Sequence, residues 1–359
     1  MTYMNTQVIR NFKIEGNVAE VKPLGEGFIN DTFIVRTDIP GKDYILQRKN
    51  HNIFPDVPAM MDNIVAVTEH IKKKVADPLR ETLTVVPTMD GKYCYKDDEG
   101  NFWAVCLFIQ GTVTYNVADT LELVRQGGIG IGRFQSQLAD FDKPLHETIK
   151  GFHNLRYRFE QWDEALKRDA AGRKAGLGDE IYFIEARRAE FMDFWKLVED
   201  GTIPRRVAHN DTKLSNILFD ESSGKVLCAI DLDPVMSSTS LCDVGDAIRT
   251  YTSSTIEDDP DYDAVFICLD KYQAYMEGYL SERRDSLSDS EKEWLPFAGL
   301  YLTYEQTLRF LMDYIDGDVY YKIKYPEHNL VRTRSQMALL RSMEDQYEQM
   351  KEIVKELLK

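Results

Sequence analysis

The sequence predicts an α+β chain, with a small β-rich lobe at residues 1–110 and a larger, mostly helical lobe at residues 111–359. Three observations lead there. The first 110 residues carry short runs rich in β-branched and aromatic residues, punctuated by glycine, with one helical pattern among them. From about Ala118 onward apolar residues recur mostly at helical spacing. The chain has 359 residues, 43% of them hydrophobic, which exceeds the usual size of one domain and is ample for two cores.

The strands come first. "VAEVKPL", "FINDTFIVRT" and "DYILQRK" read as three of them, and "GEG" (Gly25 to Gly27) between the first two reads as a tight turn. Ile64, Val67, Ile71 and Val75 share one helical face, so a helix is predicted over about Val57 to Ala76. "TLTVVPT" and "KYCYKDDEGNFWAVCLFIQG" are further strands, the second a hairpin turning at Asp98 to Asn101. A hinge is expected at about 108 to 115, with a cleft between the lobes. Helices then dominate to Asp200, short strands interrupt them around 206 to 232, and helices resume to Lys359.

The formal charge of −16 argues against a general nucleic-acid binder, because counterion release needs a basic surface. Five scattered cysteines form no C-x-x-C pair, which suits buried thiols in a reducing cytosol better than disulfides or a zinc site. No run reaches membrane-spanning length and the N-terminus has no apolar signal core, so a cytoplasmic protein is expected. "GGIGIGRF" (127 to 134) lacks the third glycine of G-x-G-x-x-G and sits in a helical pattern. Close helix packing explains it better than a dinucleotide site.

The chemistry concentrates in "VAHNDTKLSNILFD" (207 to 220). Phosphoryl transfer from ATP needs a base for the attacking hydroxyl, ligands for Mg2+ and donors along the phosphates. Asp211 and Asn216 have D-x-x-x-x-N spacing, with Asp211 placed to accept a proton and the Asn216 carbonyl placed to hold a metal. Lys213, two residues after Asp211, is placed to reach the γ-phosphate. "LCAIDLDPV" is an apolar strand ending in Asp231 and Asp233, hard oxygen ligands of the kind magnesium takes. Asp243 and Asp246 open a helix in "CDVGDAIR", where a structural role as backbone acceptors is the better reading. His209 reads as a loop brace rather than a base. The acidic run "IEDDPDYD" (256 to 263) is by default a solvated loop.

"HNDTKLSN", "IDLD" and "DVGDAIR" together resemble the aminoglycoside phosphotransferase and choline kinase superfamily. That resemblance implies a protein-kinase-like fold of two lobes. More narrowly, the chain resembles the N-acetylhexosamine 1-kinases, nearly end to end. The likeness includes "GEGFINDTFIV", "YILQRKNHNIFPD", "RRVAHNDTKLSNIL" and "RFLMDYIDGDVYYKIKYPEHNLVRTRSQ", the last being the most specific. It implies transfer of the γ-phosphoryl group of ATP to the anomeric hydroxyl of N-acetylglucosamine or N-acetylgalactosamine. Asp211 would be the base, Asn216 and Asp231 the metal ligands, and Lys213 a phosphate contact. Gly25, Gly27, Gln47, Phe108 and Ile109 would hold the nucleotide, and Arg309, Tyr320 and Phe28 the sugar. From the residues alone, Arg309 equally reads as pairing with a surface acid such as Glu305, and Tyr320 as a packing aromatic.

The chain departs from its relatives in two places. Gln47 stands where the third strand of a protein kinase carries a Lys, as it does in the hexosamine kinases themselves. Lys213, the metals, or Arg48 or Lys49 by a small register shift are the groups left to cover the phosphates. Phe28 stands where those relatives have His. Two alternatives remain open at this point: a kinase of an amino alcohol or aminoglycoside, to which the −16 charge and many tyrosines are suited, and a non-catalytic binding module.

Overall fold

The computed structural model describes residues 7–24 and 29–359. They form two compact units that interleave along the chain. The first comprises residues up to Val113 together with 140–150 and 218–236; the second comprises 114–139, 151–217 and 237–359.

In the first unit, strands β1 (Val18–Pro23), β2 (Asp31–Thr37), β3 (Tyr44–Lys49), β4 (Val85–Val86), β5 (Tyr95–Lys96) and β6 (Phe102–Leu107) build one antiparallel sheet. Its order is β1-β2-β3-β6-β4, with β5 also on β6. Apolar residues alternating along the strands, among them Val35, Leu46 and Val105, are fully buried on one core with Trp103. The hairpin turns where the sequence indicates: the Asp97 N–H donates to the Asn101 carbonyl, and Gly100 takes a φ of 88°. Helix α1 (Val57–Lys72) starts at Asp56, whose carboxylate caps the Ala59 N–H at 3.0 Å. It stops short of Ala76, because the Lys73 N–H already takes the His70 and Ile71 carbonyls. Only Val85–Val86 of the "TLTVVPT" run is strand. Strands Ile217–Asp220 and Val226–Ala229 pair side by side, the former also with Thr112–Val113.

The second unit is helical. It contains α2 (Leu121–Gln137), α3 (Leu155–Arg168), α4 (Gly178–Glu199), α5 (Ser240–Tyr251), α6 (Leu269–Arg283), α7 (Asp289–Asp316), α8 (His328–Asp345) and α9 (Tyr347–Leu358). The glycines of "GGIGIGRF" lie inside α2 and let it touch α6 backbone to backbone. A Cβ on Gly128 would come within 2.3 Å of the Tyr275 carbonyl, and one on Gly278 within 2.1 Å of the Arg125 carbonyl. Close packing is therefore their role. The 28-residue α7 begins with a capping box made by Ser288 and Glu291 and ends at Gly317 with φ 96°. No helix among the described residues is long and apolar enough to cross a membrane. All five cysteines are free thiols, and burial pushes those of Cys106 and Cys228 up to about 11 and about 12.

Candidate active site

The segment after strand Arg206–Ala208 is held by carboxylates from α5. Asp243 accepts the His209 N–H at 3.0 Å and the Asn210 N–H at 2.8 Å, and Gln135 of α2 donates to it at 3.1 Å. Asp246 accepts the Thr212 N–H at 2.8 Å, and the Tyr251 hydroxyl donates to the Thr212 carbonyl at 2.6 Å. These are backbone acceptors, as the sequence indicates, but they serve the loop across from them; their own helix is capped by Thr239. Arg249 anchors Asp246 from the far side at 3.0 Å. Asn210 adopts a left-handed backbone, φ 66°, an uncommon conformation that only such surroundings maintain. His209 is fully buried, edge-on to Phe134, and its Nδ1 accepts the Asp211 N–H at 3.3 Å. It braces the loop.

Asp211, Lys213 and Asn216 come together at the end of this braced stretch. One carboxylate oxygen, Oδ2, accepts from Lys213 Nζ at 3.0 Å and from Asn216 Nδ2 at 2.9 Å. The other, Oδ1, accepts no hydrogen bond among the described residues, and 26% of the side chain is exposed. Burial pushes the Asp211 carboxyl up, but Lys213, the His209 ring and the Asn216 amide outweigh it and hold it below the usual carboxylate range. The Asn216 Nδ2 also donates to the Asp211 carbonyl at 2.9 Å. With its nitrogen turned inward, the amide presents its carbonyl oxygen on the opposite side.

Arg309 and Tyr320 also come together. The Arg309 guanidinium lies 5.0 Å from the Phe152 ring, 5.5 Å from Tyr320 and 5.6 Å from Tyr321. It is 7% exposed, and Gln306 accepts from it at 3.2 Å. Glu305 is no surface acid: it is fully buried and bonded instead to His153 at 2.7 Å, with Arg158 3.5 Å away. Tyr320 and Tyr321 are fixed by Asp313, whose carboxylate accepts the N–H groups of Val319, Tyr320 and Tyr321 at 2.9, 2.8 and 3.0 Å. Sequence reasoning missed Phe152, Tyr321 and Asp313. The Gly317 helix stop marks the turn there, but nothing in the local sequence singles out Asp313 as its anchor.

The remaining predicted residues belong to the first unit. Gln47 donates to Thr32 at 3.2 Å. Its carbonyl accepts from Lys49 at 2.7 Å, and Lys49 is also ion-paired at 2.7 Å with buried Asp233. Asn30 donates to the other Asp233 oxygen at 2.7 Å. Residues 47 and 49 share one face of β3, whereas Arg48 points the other way and pairs with Asp31 at the surface. Helix α1 aims Asn63 at this segment, its amide donating to the Val235 carbonyl at 3.0 Å. Asp231, partly buried, holds a left-handed φ of 57°. Phe108 lies under the Arg36 guanidinium at 5.4 Å, and buried Ile109 gives its carbonyl to the Thr112 hydroxyl at 2.8 Å. Gly25, Gly27 and Phe28 fall outside the described residues.

One expectation is corrected. The acidic run 256 to 263 is not merely solvated: Glu257 pairs with buried Arg249, and Asp258 pairs with His328 at 2.8 Å and Lys324 at 3.3 Å. Arg249, which also reaches Asp246 and Gln336, and fully buried His328 come to the run from α5 and α8.

Comparison with known proteins gives the class first. Over nearly its whole length the chain superposes on solved small-molecule kinases. A microcompartment-associated aminopropanol kinase matches with a TM-score of 0.67 at 17% identity, covering 98% of this chain and 99% of that one. Spectinomycin phosphotransferase, solved with ADP and spectinomycin, matches with a TM-score of 0.60 at 12% identity, covering 96% and 98%. Choline kinase from Cryptosporidium parvum Iowa II matches with a TM-score of 0.58 at 14% identity, covering 100% and 99%. The fold is thus kinase-like, an antiparallel sheet at the N-terminal end with a helical C-terminal region. The phosphotransferase enzyme family model matches residues 20–277, and the chain belongs to that family.

Proposed function

We propose that this phosphotransferase moves the γ-phosphoryl group of ATP to the anomeric hydroxyl of an N-acetylhexosamine, giving the sugar 1-phosphate. The observation that carries the choice of acceptor is the placement of Arg309. Its guanidinium already occupies the faces of Phe152, Tyr320 and Tyr321, the kind of aromatic surroundings that would otherwise capture an ammonium group. With Arg158 also buried close by, the local field is cationic in a chain of net charge −16. A second cation is repelled there, while a hydroxyl or acetamido oxygen gains a charge-assisted donor.

In this reading Gly25, Gly27, Gln47, Phe108 and Ile109 are the expected nucleotide contacts and Arg309 and Tyr320 the expected sugar contacts, with Phe28, outside the described residues, a further one. Asp211 Oδ1 takes the hydroxyl proton, because Oδ2 is already engaged by Lys213 and Asn216. Lys213 then covers the γ-phosphate. Lys49, on the Gln47 face of β3, is the better candidate than Arg48 for the other phosphates. Asn216 and Asp231 fit a magnesium ion in donor type, a turned-out amide oxygen and a carboxylate. Magnesium binds through few protein ligands, keeping waters and phosphate oxygens, and when bound it would neutralise charge on the transferring group. Five free thiols suit a cytoplasmic setting.

The test is a phosphorylation assay over N-acetylglucosamine, N-acetylgalactosamine, glucose, galactose, choline, ethanolamine and aminopropanol, with NMR of the product to locate the phosphate. Sugar 1-phosphate from an N-acetylated hexosamine is expected. Preferential phosphorylation of an amine would overturn the reading in favour of the amino-alcohol alternative, which the net charge and the names of the structural relatives support. ADP binding without turnover on any acceptor would indicate a binding module.

A further inference from the structure

His153 is a lone histidine between α2 and α3 with no sequence motif around it, yet it lies between the two clusters of the second unit. Its Nε2 meets the Asn210 carbonyl at 3.1 Å, one residue before Asp211, and its Nδ1 meets Glu305 Oε2 at 2.7 Å. A backbone carbonyl can only accept, so Nε2 carries a proton. Glu305 lies below the usual carboxylate range: burial pushes it up, but His153, Arg309 and Arg158 outweigh that. The ring thus bridges the Asn210 carbonyl and the buried Glu305 carboxylate.

Its footing is rigid. The Tyr301 hydroxyl donates to the His153 carbonyl at 2.9 Å, and Arg158 Nε donates to the Phe152 carbonyl at 2.9 Å. Phe152, the adjacent residue, is one wall around Arg309, and Glu305 is one helical turn before Arg309 on α7. The far bond holds the carbonyl of Asn210, the left-handed residue that aims Asp211.

We propose that His153 is a positioning residue for phosphoryl transfer: clamped between the Glu305 carboxylate and the Asn210 carbonyl, it sets the direction of Asp211 and ties the loop to the Phe152–Arg309 cluster. This rests on Asp211 being the base, but not on which acceptor is used. His153 touches neither nucleotide nor acceptor. Its loss therefore lowers turnover and leaves binding alone, whereas a residue that only shaped the pocket would change the acceptor KM.

The test uses His153→Ala in the full-length enzyme, with whichever acceptor the wild type phosphorylates, so that failure of the sugar assignment leaves it intact. Loss of a hydrogen bond to a charged group predicts a fall in kcat of about ten- to a hundredfold, with the KM for ATP and for acceptor unchanged. Added imidazole, which can donate from both nitrogens once protonated, restores part of the turnover; N-methylimidazole, with one nitrogen blocked, does not. Unchanged kcat, a change confined to acceptor KM, or equal rescue by the two compounds would overturn the proposal. Should the variant not fold, the wild-type protein still decides: the His153 Nε2–H should be visible by NMR and protected from exchange by its bond to the Asn210 carbonyl, and a rapidly exchanging Nε2–H would refute the clamp.

Discussion

The loop that carries Asp211 and the cluster around Arg309 are both buried polar constructions in the second unit, but they are built differently. The loop is held by backbone: its N–H groups and carbonyls are taken by Asp243, Asp246, Tyr251 and His153, which leaves one carboxylate oxygen of Asp211 unengaged. The Arg309 cluster is held by side-chain faces, three aromatic rings around a guanidinium, with only the 319–321 backbone pinned by Asp313. A backbone cage fixes direction and suits a base that must point one way. An aromatic cluster fixes charge and shape, so it can select an acceptor while its neighbours change.

Removing the proposed base, Asp211, should break that comparison most sharply. Asp211→Asn is expected to lower kcat by roughly 10²–10⁴-fold while ADP binding by calorimetry is retained; normal turnover would end the assignment. Because Lys213 and the surrounding groups hold Asp211 low, the carboxylate stays ionised as pH falls through the ordinary Asp range. The acid limb of kcat is then expected below the ordinary Asp range, and any stability that Asp211 contributes is present above that range and lost as pH falls below it. Lys49→Met should leave Asp233 buried without its cation and lower stability by about 3–5 kcal/mol in denaturant titration. A double variant with Asp233→Asn recovers much of that stability but not ATP affinity, if Lys49 also serves the phosphates.

On the acceptor side, Arg309→Leu is expected to lower kcat/KM for sugar about ten- to a hundredfold with the KM for ATP unchanged. A parallel rise in amine phosphorylation would sharpen the charge argument, and equal losses for all acceptors would weaken it. Gly278→Ala touches neither cluster. It should cost about 1–3 kcal/mol through its clash with the Arg125 carbonyl, read as a lower Tm with both KM values intact. Glu257→Gln should have the smallest effect, below about 1 kcal/mol, since Arg249 keeps Asp246 and the lost partner is partly exposed.

The same contrast explains what could be read in the sequence. Asp211, Lys213 and Asn216 lie within six residues on one loop, so their spacing is their geometry, and the strands and α1 follow from short-range periodicity. The bracing acids Asp243 and Asp246 were legible in type, though not in target. The Lys49–Asp233 pair joins residues 184 apart, and Gln47 stood where the cation was expected. Phe152, Glu305 and Tyr321 meet only after α3 and α7 pack. A lone His153 carries no pattern at all, and the 256 to 263 run looks solvated until its partners Arg249 and His328 arrive from other helices.

Gly128 and Gly278 face each other's helices so closely that neither can accept even a methyl group. Two helices meshed in this way cannot slide along one another without lifting apart, so α2 and α6 should behave as a single beam. Gln135 on that beam steadies Asp243 and, through it, the Asn210 amide. A shape change in this enzyme would have to bend around that beam, and amide exchange along its contact line should be among the slowest in the chain.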